Sequence, residues 1–213
     1  MNPSEIAFGK IVLFDVDGVL IKNKAISKYV TQRSVEFVHR YHPDKSYEQI
    51  CNLNRICYTK LGHSAMLKGS AKGSKSAVLD YNEYVFDDTT LQFVKDNVTE
   101  TDVKHIHNVM RIVDRSCTDI GVCTNTPLVY TNQLLSCLAF DITQLDQIIT
   151  SDSGMIKPHV DFFNKADKLT NTYSTVHFVD DSELNIKAVL NRPKWVAHHV
   201  TNHASIYRCV SRI

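Results

Sequence analysis

Several things this sequence is short of narrow its reading before any motif does. No apolar run among its 213 residues approaches the roughly 20 that a bilayer span takes. The opening MNPSEIAFGK has no apolar signal-like core, so the expected compartment is the cytoplasm. Excess charge of either sign is missing too: 24 basic residues face 23 acidic ones, leaving +1. Electrostatics therefore give no reason to expect nucleic acid or an anionic membrane as partner. The most basic stretch, LKGSAKGSKS at 67–76, spaces its lysines with glycine and serine and reads as solvated loop. Paired cysteines are absent: Cys51, Cys57, Cys117, Cys123, Cys137 and Cys209 show no CxxC spacing and are expected as reduced thiols. The histidines, including HIH at 105–107 and HH at 198–199, match no zinc spacing and are expected on the surface or half-buried. There is no internal repeat and no low-complexity tract.

What is present is an ordinary globular composition on a chain long enough to bury a sizeable core unaided. Five short apolar runs stand out: KIVLFDV at 10–16, TDIGVCTN at 118–125, DQIITS at 146–151, TVHFVDD at 175–181 and KWVAHHV at 194–200. Runs this short, bounded by polar residues, suit strands buried on both faces of a parallel sheet. Helical spacing marks 128–140 (through Leu128, Leu134, Leu135 and Leu138), 160–169 and 182–192. This alternation predicts a doubly wound, Rossmann-like α/β core. The first two strands are separated by far more than the dozen or so residues of a crossover. Residues 22–105 are therefore expected as an inserted helical subdomain on a core of 1–21 and 106–213. Helices are expected over 25–41, 46–62 and 89–98. The segment 62–86 is expected to be the least regular, and 103–116 to return as a sheet-covering helix.

The first strand raises the chemical question, because Asp15 and Asp17 interrupt a run otherwise suited to burial. In an open α/β sheet, ligands bind at the carboxyl ends of the strands. Asp15 falls at such an end, as do Thr124 and Asn125, Asp180 and Asp181, with Lys157 just past the third strand. Carboxylates converging in one crevice raise one another's pKa. A hard cation such as Mg²⁺ relieves this and can bridge carboxylate to phosphate. Asp15 could then attack phosphorus as a nucleophile, and Asp17 could protonate the leaving oxygen and activate water. Each residue also has a simpler reading. Asp15 and Asp17 with Gly18 could form a turn. Thr124, Asn125, or the Asp180–Ser182 run could cap helices. Lys157 could be a loop lysine, and Asn185 could be a helix-surface residue or a support for its loop.

In order and context, DVDGV, TNT, the lysine of KP and DDSELN resemble the four motifs of the haloacid dehalogenase (HAD) superfamily, over residues 10–200. The resemblance implies Asp15 as nucleophile and Mg²⁺ ligand. Asp17 is implied as general acid/base, binding Mg²⁺ through its main-chain carbonyl. Thr124, Asn125 and Lys157 are implied to hold phosphate. Asp181 is implied on the metal, with Asp180 supporting. The helical insert resembles a type-1 cap, which closes over small substrates. Members that cleave carbon–halogen bonds lack an aspartate at the position of Asp17, so its presence points to phosphate esters.

The cap stretch YTKLGHSAMLKG…LDYNEYVFDDTTL is similar to pyrimidine 5′-nucleotidase-like members. This makes His63, Lys68, Tyr81 and Asn82 candidate cap contacts, although each could equally be cap packing or surface. The expectation is an Mg²⁺-dependent phosphatase of a small phosphorylated metabolite, a nucleoside 5′-monophosphate foremost. A sugar-phosphate phosphatase or a phosphomutase of the β-phosphoglucomutase kind, and an inactive binding scaffold, are the alternatives.

Overall fold

The computed structural model describes residues 9–52, 75–114, 116 and 118–213. Five strands form one sheet: β1 (Lys10–Phe14), β2 (Asp119–Cys123), β3 (Gln147–Ile149), β4 (Thr175–Asp180) and β5 (Trp195–His199), in the order β3-β2-β1-β4-β5, all parallel. The expected fold class is the observed one. β1 is central, pairing Ile11 with Asp119 on one side and Val176 on the other. That position explains its continuous apolar run, because Ile11, Val12, Leu13 and Phe14 are all fully buried.

Period-two alternation sends Val12, Phe14 and Val179 to one face, and Ile11, Leu13, Val176 and Phe178 to the other. Three helices cover the first face: α4 (Glu100–Asp114), α5 (Leu128–Cys137) and α8 (His203–Val210). On α4, the buried Asp102, His105, Ile106, Val109, Met110 and Val113 recur at three and four residues, the spacing of one helix face. α6 (Val160–Leu169) and α7 (Glu183–Val189) cover the second face through Phe162, Phe163, Ala166, Ile186 and Val189.

The long excursion after β1 is helical where it is described. α1 (Lys24–Tyr41) starts at Asn23, whose side chain accepts from the amides of Ala25 and Ile26. Residues 47–52 are helical. α2 (Lys75–Val85) and α3 (Asp88–Asn97) follow, α3 capped by Asp87, to which Arg33 of α1 also donates. Val35, Phe37 and Val38 of α1 pack with Ile50 and Val85 in a small core of their own. Tyr29 stacks on Phe93 at 4.0 Å.

The structure differs from the sequence reading in five places. Segment 62–86, expected as irregular, carries α2 from Lys75 on, because Tyr81, Tyr84 and Val85 find apolar partners in the α1 cluster. Residues 105 and 106, expected as the seam between core and insert, lie inside the continuous helix α4. Leu128 is exposed, whereas Leu134, Leu135 and Leu138 are buried. His105, expected at most half-buried, is buried because Val19 O and the Tyr207 hydroxyl satisfy both ring nitrogens, each at 2.9 Å. A helix after β5, not anticipated, is α8. Cys51, Cys123, Cys137 and Cys209 are free thiols; Cys57 and Cys117 lie outside the described residues. Among the described residues no helix is long and apolar enough to cross a membrane.

Candidate active site

The carboxyl ends of β1, β2 and β4, with the loop after β3, converge above the sheet. Asp15 follows β1 directly, and its amide donates to Val179 O of β4 at 2.9 Å, which ties the first acid to the strand that ends in Asp180. The Asp15 carboxylate accepts from the Val16 amide at 2.8 Å. The chain then turns tightly: the Gly18 amide donates to Ile21 O, and the Ile21 amide donates back to Val16 O. Gly18 has φ +82°, the left-handed region that a side chain disfavours. A Cβ there would also overlap the Asp181 carboxylate. The glycine is thus fixed twice, by its own backbone and by the acid it faces.

Lys157 lies between two carboxylates, with Nζ 3.0 Å from Asp15 Oδ1 and 2.7 Å from Asp180 Oδ2. It is 1% exposed. Burial alone would push its ammonium down, but Asp15 and Asp180 more than reverse this and hold it well above the usual lysine range. The simple loop-lysine reading does not survive this burial. Asp180 is saturated, since it also accepts from the Ser182 amide at 2.8 Å and from Asn185 at 3.0 and 3.1 Å. Asn185, 3% exposed, is therefore a support for this loop and not a surface residue.

Asp17 accepts from Thr126 Oγ1 at 3.3 Å, and Thr126 in turn meets Thr124 Oγ1 at 2.7 Å. The second threonine of TNTP had not been singled out; its place in the same tripeptide was the available signal. The Asn125 side chain is held by main-chain atoms. Its amide donates to Lys157 O at 3.1 Å and accepts from the Lys157 amide at 2.6 Å. Both polar ends are taken by the main chain that carries the lysine. Lys22 was likewise missed: it is half-buried, and its charge acts on Asp181.

Oxygens of Asp15, Asp180 and Asp181 lie within 4.8 Å of one another, two of the three residues being buried. Burial foremost pushes the Asp15 carboxyl up to about 8; Lys157 pulls against this, while Asp180, Asp17 and Asp181 add to it. Burial likewise raises Asp17 and Asp181. An all-oxygen set of mutually repelling acids fits a hard divalent cation such as Mg²⁺. Asp17's side chain is outside this trio.

Of the candidate cap contacts, His63 and Lys68 lie outside the described residues. Asn82 of α2 reaches the core, its amide donating to Ser151 Oγ at 2.9 Å. Tyr81 shares a hydrogen bond with Ser34 Oγ at 2.7 Å, and its hydroxyl is pushed up to about 12 by burial, with Asp17 adding to the shift.

Comparison with known proteins agrees with this fold. The sequence profile of the family described as haloacid dehalogenase-like hydrolase matches residues 12–192. A search of curated proteins gave no match. Among solved structures, CbbY from Rhodobacter sphaeroides in complex with phosphate superposes with a TM-score of 0.60 at 15% identity, over 91% of this chain and 87% of that one. A predicted phosphatase from Clostridium acetobutylicum gives 0.56 at 19% identity, over 91% and 85%. L-2-haloacid dehalogenase from Xanthobacter autotrophicus gives 0.53 at 14%, over 91% and 78%. At these identities the likeness is one of fold.

Proposed function

The chain belongs to the haloacid dehalogenase-like hydrolases, and on that premise we propose that it is a Mg²⁺-dependent phosphomonoesterase of small phosphorylated metabolites, nucleoside 5′-monophosphates foremost. The observation that carries the reading is the buried array Asp15–Lys157–Asp180 with Asp17 and Thr126 beside it. A fold alone has no use for a lysine and several acids buried together, because desolvating them is costly.

In this reading the Asp15 carboxylate attacks phosphorus. The bond from phosphorus to the ester oxygen breaks, its electron pair leaves with the alcohol, and Asp17 supplies the proton. A water then gives its proton to Asp17 and attacks the phospho-aspartate, releasing phosphate and restoring Asp15. Thr124 and Lys157 bind phosphoryl oxygens. Asn125, clamped to the Lys157 backbone, positions that lysine. Asp15, the Asp17 carbonyl and Asp181 would hold Mg²⁺, with Asp180 supporting. When bound, the ion supplies positive charge against the phosphoryl oxygens.

Asp17 argues for ester hydrolysis over dehalogenation, which has no leaving oxygen to protonate. The helices of residues 22–98 serve as the cap, a boundary that keeps α4 whole. The nucleotide preference rests on the likeness of 58–91 to nucleotidase-like caps, and Tyr81 and Asn82 are its described contacts. The cytoplasm is the assigned compartment. The test is phosphate release from a panel of nucleotides and sugar phosphates, with and without Mg²⁺. Release that requires Mg²⁺ and vanishes in Asp15→Asn is expected. No release from any substrate, or full activity in that variant, ends the proposal.

A further inference from the structure

One buried group near Asp17 has no role in the chemistry just described. Tyr130 lies in the first turn of α5, four residues after Thr126, whose hydroxyl contacts Asp17 at 3.3 Å. Its ring is fully buried and packs on Phe86, with centroids 4.6 Å apart. Its hydroxyl has no hydrogen-bond partner among the described residues. A buried phenol normally finds one, and a phenylalanine would fill the same ring space without the cost. Burial, and after it the charge of Asp17, holds the phenol protonated, so it remains a donor.

A second orphan comes from α2. The Asn82 amide nitrogen is used on Ser151, but its Oδ1 is buried without a partner. One free donor and one free acceptor thus occur at the seam between α2 and the Thr126–Ser151 region, where the Ser151 amide donates to Thr126 O at 3.4 Å. A hydroxyl group can accept from a phenol and can donate to an amide oxygen.

We propose that Tyr130 and Asn82 form the specificity-determining pair that reads a hydroxyl group on the leaving alcohol, which selects phosphate esters of polyhydroxylated alcohols such as a sugar or the ribose of a nucleotide. The inference rests on the phosphatase reading and deepens it. Both atoms are buried, so the pair meets a leaving group only if α2 lifts from the 3-10 turn Ser151–Ser153. Among the described residues, Asn82–Ser151 is the polar bond between α2 and this turn that the lift exchanges.

The test is Tyr130→Phe, which keeps the ring and its packing. Phosphate release is measured from ribose 5-phosphate, rich in hydroxyls, and from p-nitrophenyl phosphate, whose leaving group carries none. The expected result is a loss of about tenfold or more in kcat/KM for ribose 5-phosphate. Turnover of p-nitrophenyl phosphate should not change, and the melting temperature should be equal or higher. Equal loss on both esters, or no loss on the sugar, overturns the inference while leaving the phosphatase reading intact. A parent protein that hydrolyses neither ester, nor any other phosphate, removes the reading beneath and the inference with it.

Discussion

Single residues here are constrained from more than one side, and this makes their substitution informative. Gly18 is needed for its positive φ and for the space that the Asp181 carboxylate fills. Gly18→Ala is expected to cost about 1–3 kcal/mol in urea unfolding and most of the phosphate release, because Asp181 must move. Retention of both would show that the loop relaxes freely. His177 supplies a pH test away from the site. Its Nδ1 meets His198 Nε2 at 3.0 Å, and burial first, then His198 and Lys10, push it down to about 4. A histidine whose folded pKa is depressed stays neutral while the unfolded chain takes a proton below about 6.5. The unfolded state therefore binds more protons between pH 6.5 and 4, and this contribution to stability falls as the pH drops through that window. The raised carboxyls Asp15, Asp17 and Asp181 act in the opposite sense, so the comparison of parent with His177→Val isolates the effect. Thermal melts from pH 7 to 4 should fall less steeply in the variant, and parallel curves would contradict the assignment. The role of Asn125 was hidden for a different reason. TNT sets an amide beside Thr124, but only tertiary contact shows both of its ends held by the Lys157 backbone.

At the level of elements, the five strands were legible because each is a short apolar run bounded by polar residues, most plainly β1 at the centre of the sheet, which is apolar on both faces. That the candidate residues of the core would meet was readable too, because sequence position at a strand end translates directly into position in space. α2 was not legible. Its sequence follows a run of glycine, serine and lysine, and Tyr81, Tyr84 and Val85 find their apolar partners in a cluster with α1 and Ile50, far away in sequence. α8 escaped notice because its burial rests on just Ile206 and Val210, two residues that leave little periodic signal. Cap contacts were the least readable of all, since nothing local says which face of a cap helix turns toward the core; Asn82 declares itself only through Ser151.

For the molecule as a whole, Asp15, Asp17, Asp180 and Asp181 gather and repel one another at one end of the sheet, so a cation bound there should stabilise the entire fold. Saturation to 100 times the dissociation constant adds about 2.7 kcal/mol, or roughly 5–10 °C in melting temperature for a chain this size. Adding Mg²⁺ is expected to produce such a rise, and Asp181→Asn to remove most of it. An unmoved melting temperature at millimolar Mg²⁺ would argue against an ion at this trio. The strand order has a consequence for how the protein comes into being. β1 is made first, yet its two hydrogen-bonded neighbours begin at Asp119 and Thr175. On the ribosome, the segment bearing Asp15 emerges as a greasy ribbon with nothing to zip onto until β2 and β4 have been translated. Completion of the acidic crevice and closure of the sheet are therefore one shared event in the life of the nascent chain.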